Sequence, residues 1–134
     1  MGHDWGNQLI KQLKSDSFSF GEKLCLVEKL LPLADEILGT QLAKVLIESA
    51  MEVKPSKKEL YYLCEASEGG ALLGRYLRAF FCGSGNRPEL VEMARRLEQV
   101  LSFRLINPHP GQDQYNDVKL HDTVVEYLSR NRAA

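Results

Sequence analysis

The side chains best suited to chemistry are three histidines, His3, His109 and His121, and three cysteines, Cys25, Cys64 and Cys82. Imidazole and thiolate together suit zinc, which takes its ligands in short pairs such as CxxC, HxxxH or HExxH, because two ligands on one turn are held ready for the ion. None of these spacings occurs. His121-Asp122 is a single histidine–carboxylate pair without a second histidine and reads as the start of a helix. His109, between Pro108 and Pro110, reads as a loop histidine. No metal site and no cofactor are expected.

Nucleophilic catalysis fares no better. A cysteine nucleophile needs a lowered pKa, from a helix N-terminus or a neighbouring base. Cys25 and Cys64 fall on apolar helix faces, and Cys82 falls at a helix C-terminus, where the dipole opposes a thiolate. There is no GxSxG. Gly83-Ser84-Gly85 precedes a helix, and helix N-termini attract anions. Yet no strand comes before it and no Gly-Lys-Ser/Thr follows. Asp35 and Glu36 are adjacent, so on a helix they do not face each other. No catalytic residue is expected.

The arginines are the remaining charged feature. Lysines dominate up to Lys58, whereas Arg75, Arg78, Arg87, Arg95, Arg96 and Arg104 cluster later, partly offset by Glu89, Glu92 and Glu98. Guanidinium groups in one region suit phosphate or carboxylate, or simply a solvated, salt-bridged face. Residues 56–82 also have a helix-turn-helix outline. Its second helix, however, offers only Arg75 and Arg78 to bases or phosphates, and is otherwise too apolar for a DNA groove. The formal net charge of -1 gives no global pull towards nucleic acid. Nucleic-acid binding through region 75–104 is the alternative reading.

The elements that would position these residues are helical. Trp5, Leu9, Ile10 and Leu13 form a stripe over 4–14 that Asp4 is placed to cap. Ser19 and Glu22 make a capping box for a helix over 20–31, which Pro32 interrupts. A short helical piece, Leu33 to Leu38, precedes a helix capped by Thr40 and running to Met51. Ser56 and Glu59 form a second capping box, and Gly69-Gly70 can end that helix. Leu72 to Phe81 is the most apolar helix and is expected at the centre. Asn86 is the expected cap of an amphipathic helix from Arg87 to Phe103, with Pro88 in its first turn. Residues 107–116 are a loop dense in breakers. A final helix starts at Val118 or Asp122 and ends at Arg130. Leu105-Ile106 pairing with Val118–Leu120 as a short β-hairpin is the alternative near 105–120. The expected fold is an all-α bundle of six to eight helices in a single domain, 1–134, with a core over about 5–103, a loop over 104–116 and a C-terminal helix over about 118–130.

Residues 5–82 resemble death-effector-type domains of the death fold in the number, length and order of their helical segments. The similar stretches are Gln8–Leu13, Phe20–Leu31, Leu42–Glu48, Leu60–Cys64 and Leu72–Leu77. That family's Arg-x-Asp-Leu motif falls on Gly69, Gly70, Ala71 and Leu72, and its Phe-Leu pair on Lys23-Leu24, so neither motif is kept. The resemblance implies a six-helix bundle, here extended by further helices, that associates through helix surfaces and does not catalyse.

The expected function is therefore a non-enzymatic protein-interaction or regulatory module, adaptor-like and soluble. Its candidate surface is Arg75, Arg78, Phe80, Phe81, Arg95 and Arg96. The phenylalanines enter because consecutive helical residues lie about 100° apart and do not share one face. The expected partner is another protein or a second copy of the chain. No apolar run approaches the roughly 20 residues of a membrane span. The N-terminus, MGHDWGNQL, lacks the basic and apolar regions of a secretory signal. With an odd cysteine count, this points to an intracellular location, cytoplasmic or nuclear.

Overall fold

The computed structural model describes residues 4–15, 17–68, 72–108, 110 and 114–131. Among them the chain forms seven α-helices and one 3₁₀ turn: α1 (Asp4–Lys14), α2 (Phe20–Leu30), the turn Leu31–Leu33, α3 (Glu36–Val53), α4 (Lys57–Ala66), α5 (Leu72–Gly83), α6 (Pro88–Ile106) and α7 (Tyr115–Arg130). No helix among the described residues is long and apolar enough to cross a membrane.

Local chemistry sets most of the boundaries. Both capping boxes form. The Ser19 hydroxyl accepts from the Glu22 amide while the Glu22 carboxylate accepts from the Ser19 amide, and Ser56 with Glu59 repeats the arrangement. Each box satisfies two amide donors that a helix start leaves open. Pro32 sits in the first turn of the 3₁₀ segment, where its missing amide is harmless. Lys54 ends α3 in the left-handed conformation (φ 49°), because Pro55 disfavours continuation of the helix at the residue before it.

α3 is the hub of the bundle. It packs against α1, α2, α5 and α6, while α6 also packs against α4 and α7, and α5 reaches α7. Leu38, Leu42, Ala43, Val45, Leu46, Ile47, Ala50 and Met51 are all buried, so α3 is apolar around most of its circumference, as a central helix must be. α5, the helix expected at the centre, instead buries one face, Leu73, Gly74, Leu77 and Phe81.

The segmentation of α3 is also corrected. One helix runs through Gly39-Thr40, capped by Asp35, whose carboxylate accepts from the Leu38 amide at 2.8 Å. Gly39 is no helix end. A Cβ there would lie 2.6 Å from the Tyr76 ring of α5, so the glycine admits an aromatic ring against the α3 backbone.

Three other boundaries differ from expectation. The β-hairpin alternative is overturned: α6 continues through Leu105 and Ile106, and Val118–Leu120 lie inside α7, which starts earlier at Tyr115. Arg87, not Asn86, occupies the N-cap of α6, and its side chain makes no capping hydrogen bond. His3, His109 and residues 69–71, where the sequence places a helix end, lie outside the described residues.

Candidate interaction groove

α4 buries Leu60, Leu63 and Cys64 at i, i+3, i+4 and so turns Lys57, Lys58, Tyr61, Tyr62 and Glu65 outward. α6 buries Leu90, Met93, Ala94, Leu97, Val100, Leu101 and Arg104 and turns Arg95, Gln99 and Phe103 to solvent. Arg96 donates to the Pro55 carbonyl just before α4, and Arg104 pairs with Glu65 and Glu68 at its far end. The two helices therefore run parallel, side by side.

Between them lies an open groove of about 630 Å³, walled by Tyr61 and Tyr62 on α4 and by Val100 and Phe103 on α6. Its aromatic side chains are not folded away. Tyr62 is 49% exposed and Phe103 58%. Tyr61 meets Phe103 edge-on at 6.5 Å between centroids, and the Lys58 ammonium lies 6.0 Å from the centre of the Tyr62 ring. Lys57 and Lys58 mark one end of the groove and Glu65 the other, so it is apolar along its length and oppositely charged at its ends.

The acidic end is anchored by a buried cation. Arg104 is 3% exposed, and its guanidinium carbon lies 4.6 Å from the centre of the Tyr61 ring. Nε donates to both oxygens of Asp117 at 3.2 and 3.1 Å, and Nη2 pairs with Glu68. Nη1 lies 3.7 Å from Glu65 and has no hydrogen-bond partner among the described residues. One guanidinium thus serves three carboxylates, joining α4, α6 and α7 beneath Tyr61. Burial pushes the Asp117 carboxyl above the usual carboxylate range, against the opposing pull of Arg104.

A second polar knot joins α6 to α7. The Ser102 hydroxyl donates to Glu98 at 2.7 Å, and His121 Nε2 lies 3.2 Å from the same hydroxyl and 3.1 Å from the Glu98 carboxylate. The residue types are those of a Ser-His-Glu relay, but the geometry is not. Serine and acid meet the same ring nitrogen, whereas a relay needs the acid on Nδ1 and the serine on Nε2. Cys64, fully buried on the inner face of α4, has its thiol pushed up to about 12 by desolvation, so it stays protonated and unreactive. Cys25 and Cys82 are exposed. Among the described residues no group of three or more His, Cys, Asp or Glu side chains is disposed to hold a metal ion.

The residues expected to form an interaction surface are divided by the fold. Phe81 is fully buried, edge-on to Tyr127 at 5.5 Å, and so belongs to the core. Phe80 is half-buried and lines a separate shallow cleft with Lys44 and Arg87. Arg75 and Arg95 are exposed, on α5 and α6 respectively. Arg78 turns back to the Gly74 carbonyl, and Arg96 is engaged by Pro55. Arg104 is internal, and Arg87 faces Glu48 at 3.8 Å. The arginines are thus spread over two helices and the interior and do not share one face. Sequence reasoning missed Tyr61, Tyr62 and Phe103, although the outward Lys-Lys-x-x-Tyr-Tyr of α4 carries the signal. It also missed the Arg104 cluster, although an arginine in register with Leu97 and Leu101 of an apolar stripe marks a buried charge.

No protein-family model, no curated protein sequence and no solved structure matches this chain.

Proposed function

We propose that the chain is a non-enzymatic protein-interaction module and that the α4–α6 groove is its docking surface. The observation that carries this reading is the pair of exposed aromatic rings, Tyr62 and Phe103, facing one apolar groove. Contiguous exposed apolar surface with a polar rim is the usual mark of a partner site, and parallel helices with an open seam suit the helix-in-groove mode of recognition. α4 is 10 residues long, about three helical turns, which sets the length of helix the groove can take. The arginines Arg75, Arg78, Arg95 and Arg96 are not among the residues that line the groove and do not enter this reading.

Selection of three-turn helical peptides from a displayed library tests it. Wild-type protein should enrich peptides with apolar residues at i, i+3 or i+4, and i+7. Phe103→Glu should enrich none of them, while keeping the wild-type helical spectrum and melting temperature. Enrichment that is the same on both proteins removes the groove from the function.

A further inference from the structure

α7 carries an outward face whose charge order complements the groove. Val118 and Val125 are 44% and 42% exposed and lie on the side opposite the buried Leu120, Val124 and Tyr127. They are flanked by Lys119 towards the N-terminal half and by the exposed Asp122 and Glu126 towards the C-terminal half. Lys58 and Glu65, at the ends of the groove, are seven residues apart, and so are Lys119 and Glu126, which on a helix is a rise of about 10.5 Å in each case. Laid antiparallel to α4, an α7 helix brings Glu126 to Lys58 and Lys119 to Glu65, with the two valines along Tyr62 and Phe103. The same orientation sets the positive N-terminal end of the docking helix towards the surplus carboxylates around Arg104.

We infer that the groove receives α7 of a second copy of this chain, antiparallel to α4. This rests on the groove being the docking surface, and it names the occupant. The contact is heterologous, groove on one copy and helix face on the other, so it propagates or closes into a ring unless both contacts form within one pair. It is small, so association is weak and rises with concentration.

Sedimentation of the full chain over the micromolar to millimolar range tests it. The wild type should show a mass that climbs with concentration. Phe103→Glu, which blocks the groove, and Val125→Glu, which blocks the helix face, should each be monomeric. Mixed one to one they should form a heterodimer and nothing larger, because each supplies the half the other retains. The milder Lys58→Glu should weaken association about two- to fivefold, the size expected of one exposed ion pair, and adding Glu126→Lys in the same chain should restore it. Circular dichroism confirms that each variant is folded, and the lysine–glutamate swap carries the test if a glutamate variant is not. A wild type that stays monomeric throughout overturns the inference. So does association that survives both substitutions, or loss in both that mixing does not restore. Groove-dependent peptide selection alongside a monomeric wild type would keep the docking surface and remove only the second copy. If neither is seen, both fall.

Discussion

Around α3 the contacts are aliphatic: Leu42, Leu46, Ile47 and Ala50 meet side chains from α1, α2, α5 and α6 with almost no polar atom among them. Lys23, whose ammonium donates to the Ser49 hydroxyl at 3.2 Å, makes a buried polar contact there, and Glu48 faces Arg87 nearer the surface. Along α6 and α7 the buried face is also aliphatic, but polar, directional contacts are added to it. Arg104 holds Asp117, His121 meets Glu98 and Ser102, the Tyr127 hydroxyl donates to the Gly85 carbonyl at 2.8 Å, and Arg130 donates to the Phe81 carbonyl at 3.2 Å. Burial of apolar surface is tolerant of small movements. Buried ion pairs and hydrogen bonds are not, because a misplaced partner leaves a charge desolvated and unpaired. The α3 side supplies stability, and the α6–α7 side sets where α4, α6 and α7 sit, and hence the shape of the groove.

Removing the central charge of the polar side has the largest expected effect. Arg104→Ala strands the buried Asp117 and the part-buried Glu68, and should destabilise the fold by about 3–5 kcal/mol. Leu46→Ala, on the aliphatic side, should cost about 2–5 kcal/mol through lost burial and a cavity. Urea unfolding separates the mechanisms through a second substitution. Arg104→Met with Asp117→Leu should recover part of the Arg104→Ala loss, because the more deeply buried of the two stranded carboxylates is gone and only Glu68 is left unpaired, whereas no distant polar change should rescue Leu46→Ala. Equal non-recovery in both would erase the distinction.

The pH dependence sharpens the same contrast. The Asp117 carboxyl has its pKa raised in the folded protein, so its ionised form is disfavoured relative to the unfolded chain. Its contribution to stability is therefore fully present below the ordinary carboxylate pKa and is lost as pH rises through the raised value. Asp117→Asn removes that titration. Unfolding measured across the acidic range should show the variant gaining on the wild type as pH rises, while Leu46→Ala runs parallel to the wild type. A constant gap between Asp117→Asn and the wild type would contradict the upward shift of this carboxyl in the folded protein.

Two smaller effects concern the backbone of α3. Gly39→Ala places a methyl 2.6 Å from the Tyr76 ring and should destabilise by about 1–3 kcal/mol, the range for overpacking. Gly39→Ala combined with Tyr76→Leu should recover part of it. Lys54→Gly relieves a left-handed residue at the α3 C-cap and should raise stability by up to about 1 kcal/mol, visible as a shift in the urea midpoint at unchanged slope.

The two sides also differ in how far the sequence exposes them. Ser19 with Glu22, Ser56 with Glu59, and Pro32 act on neighbours within one turn, and the helix starts and breaks they imply are found. The apolar stripes of α2, α4 and α6 are likewise readable from spacing alone. Gly39 is not, because a glycine that opens a turn and a glycine that admits a ring from another helix look identical in one dimension. The polar side is harder still. Arg104 meets Asp117 and Glu68 across separations of 13 and 36 residues, and no local rule pairs them. The groove was half legible. The outward Tyr61-Tyr62 pair lies in plain sequence, but that Phe103 faces it depends on α4 and α6 running parallel, which the Arg96–Pro55 and Arg104–Glu68 contacts set.

The docking role of the groove is tested most directly by backbone amide chemical shifts of the labelled protein, recorded while a library-selected helix is added. The predicted result is a continuous set of shifts at Lys58, Tyr61, Tyr62, Gln99 and Phe103, with Tyr76 and Leu46 unmoved. Shifts confined to the exposed aliphatic residues Leu33 and Ile37, each 72% exposed and neither lining the groove, would contradict it.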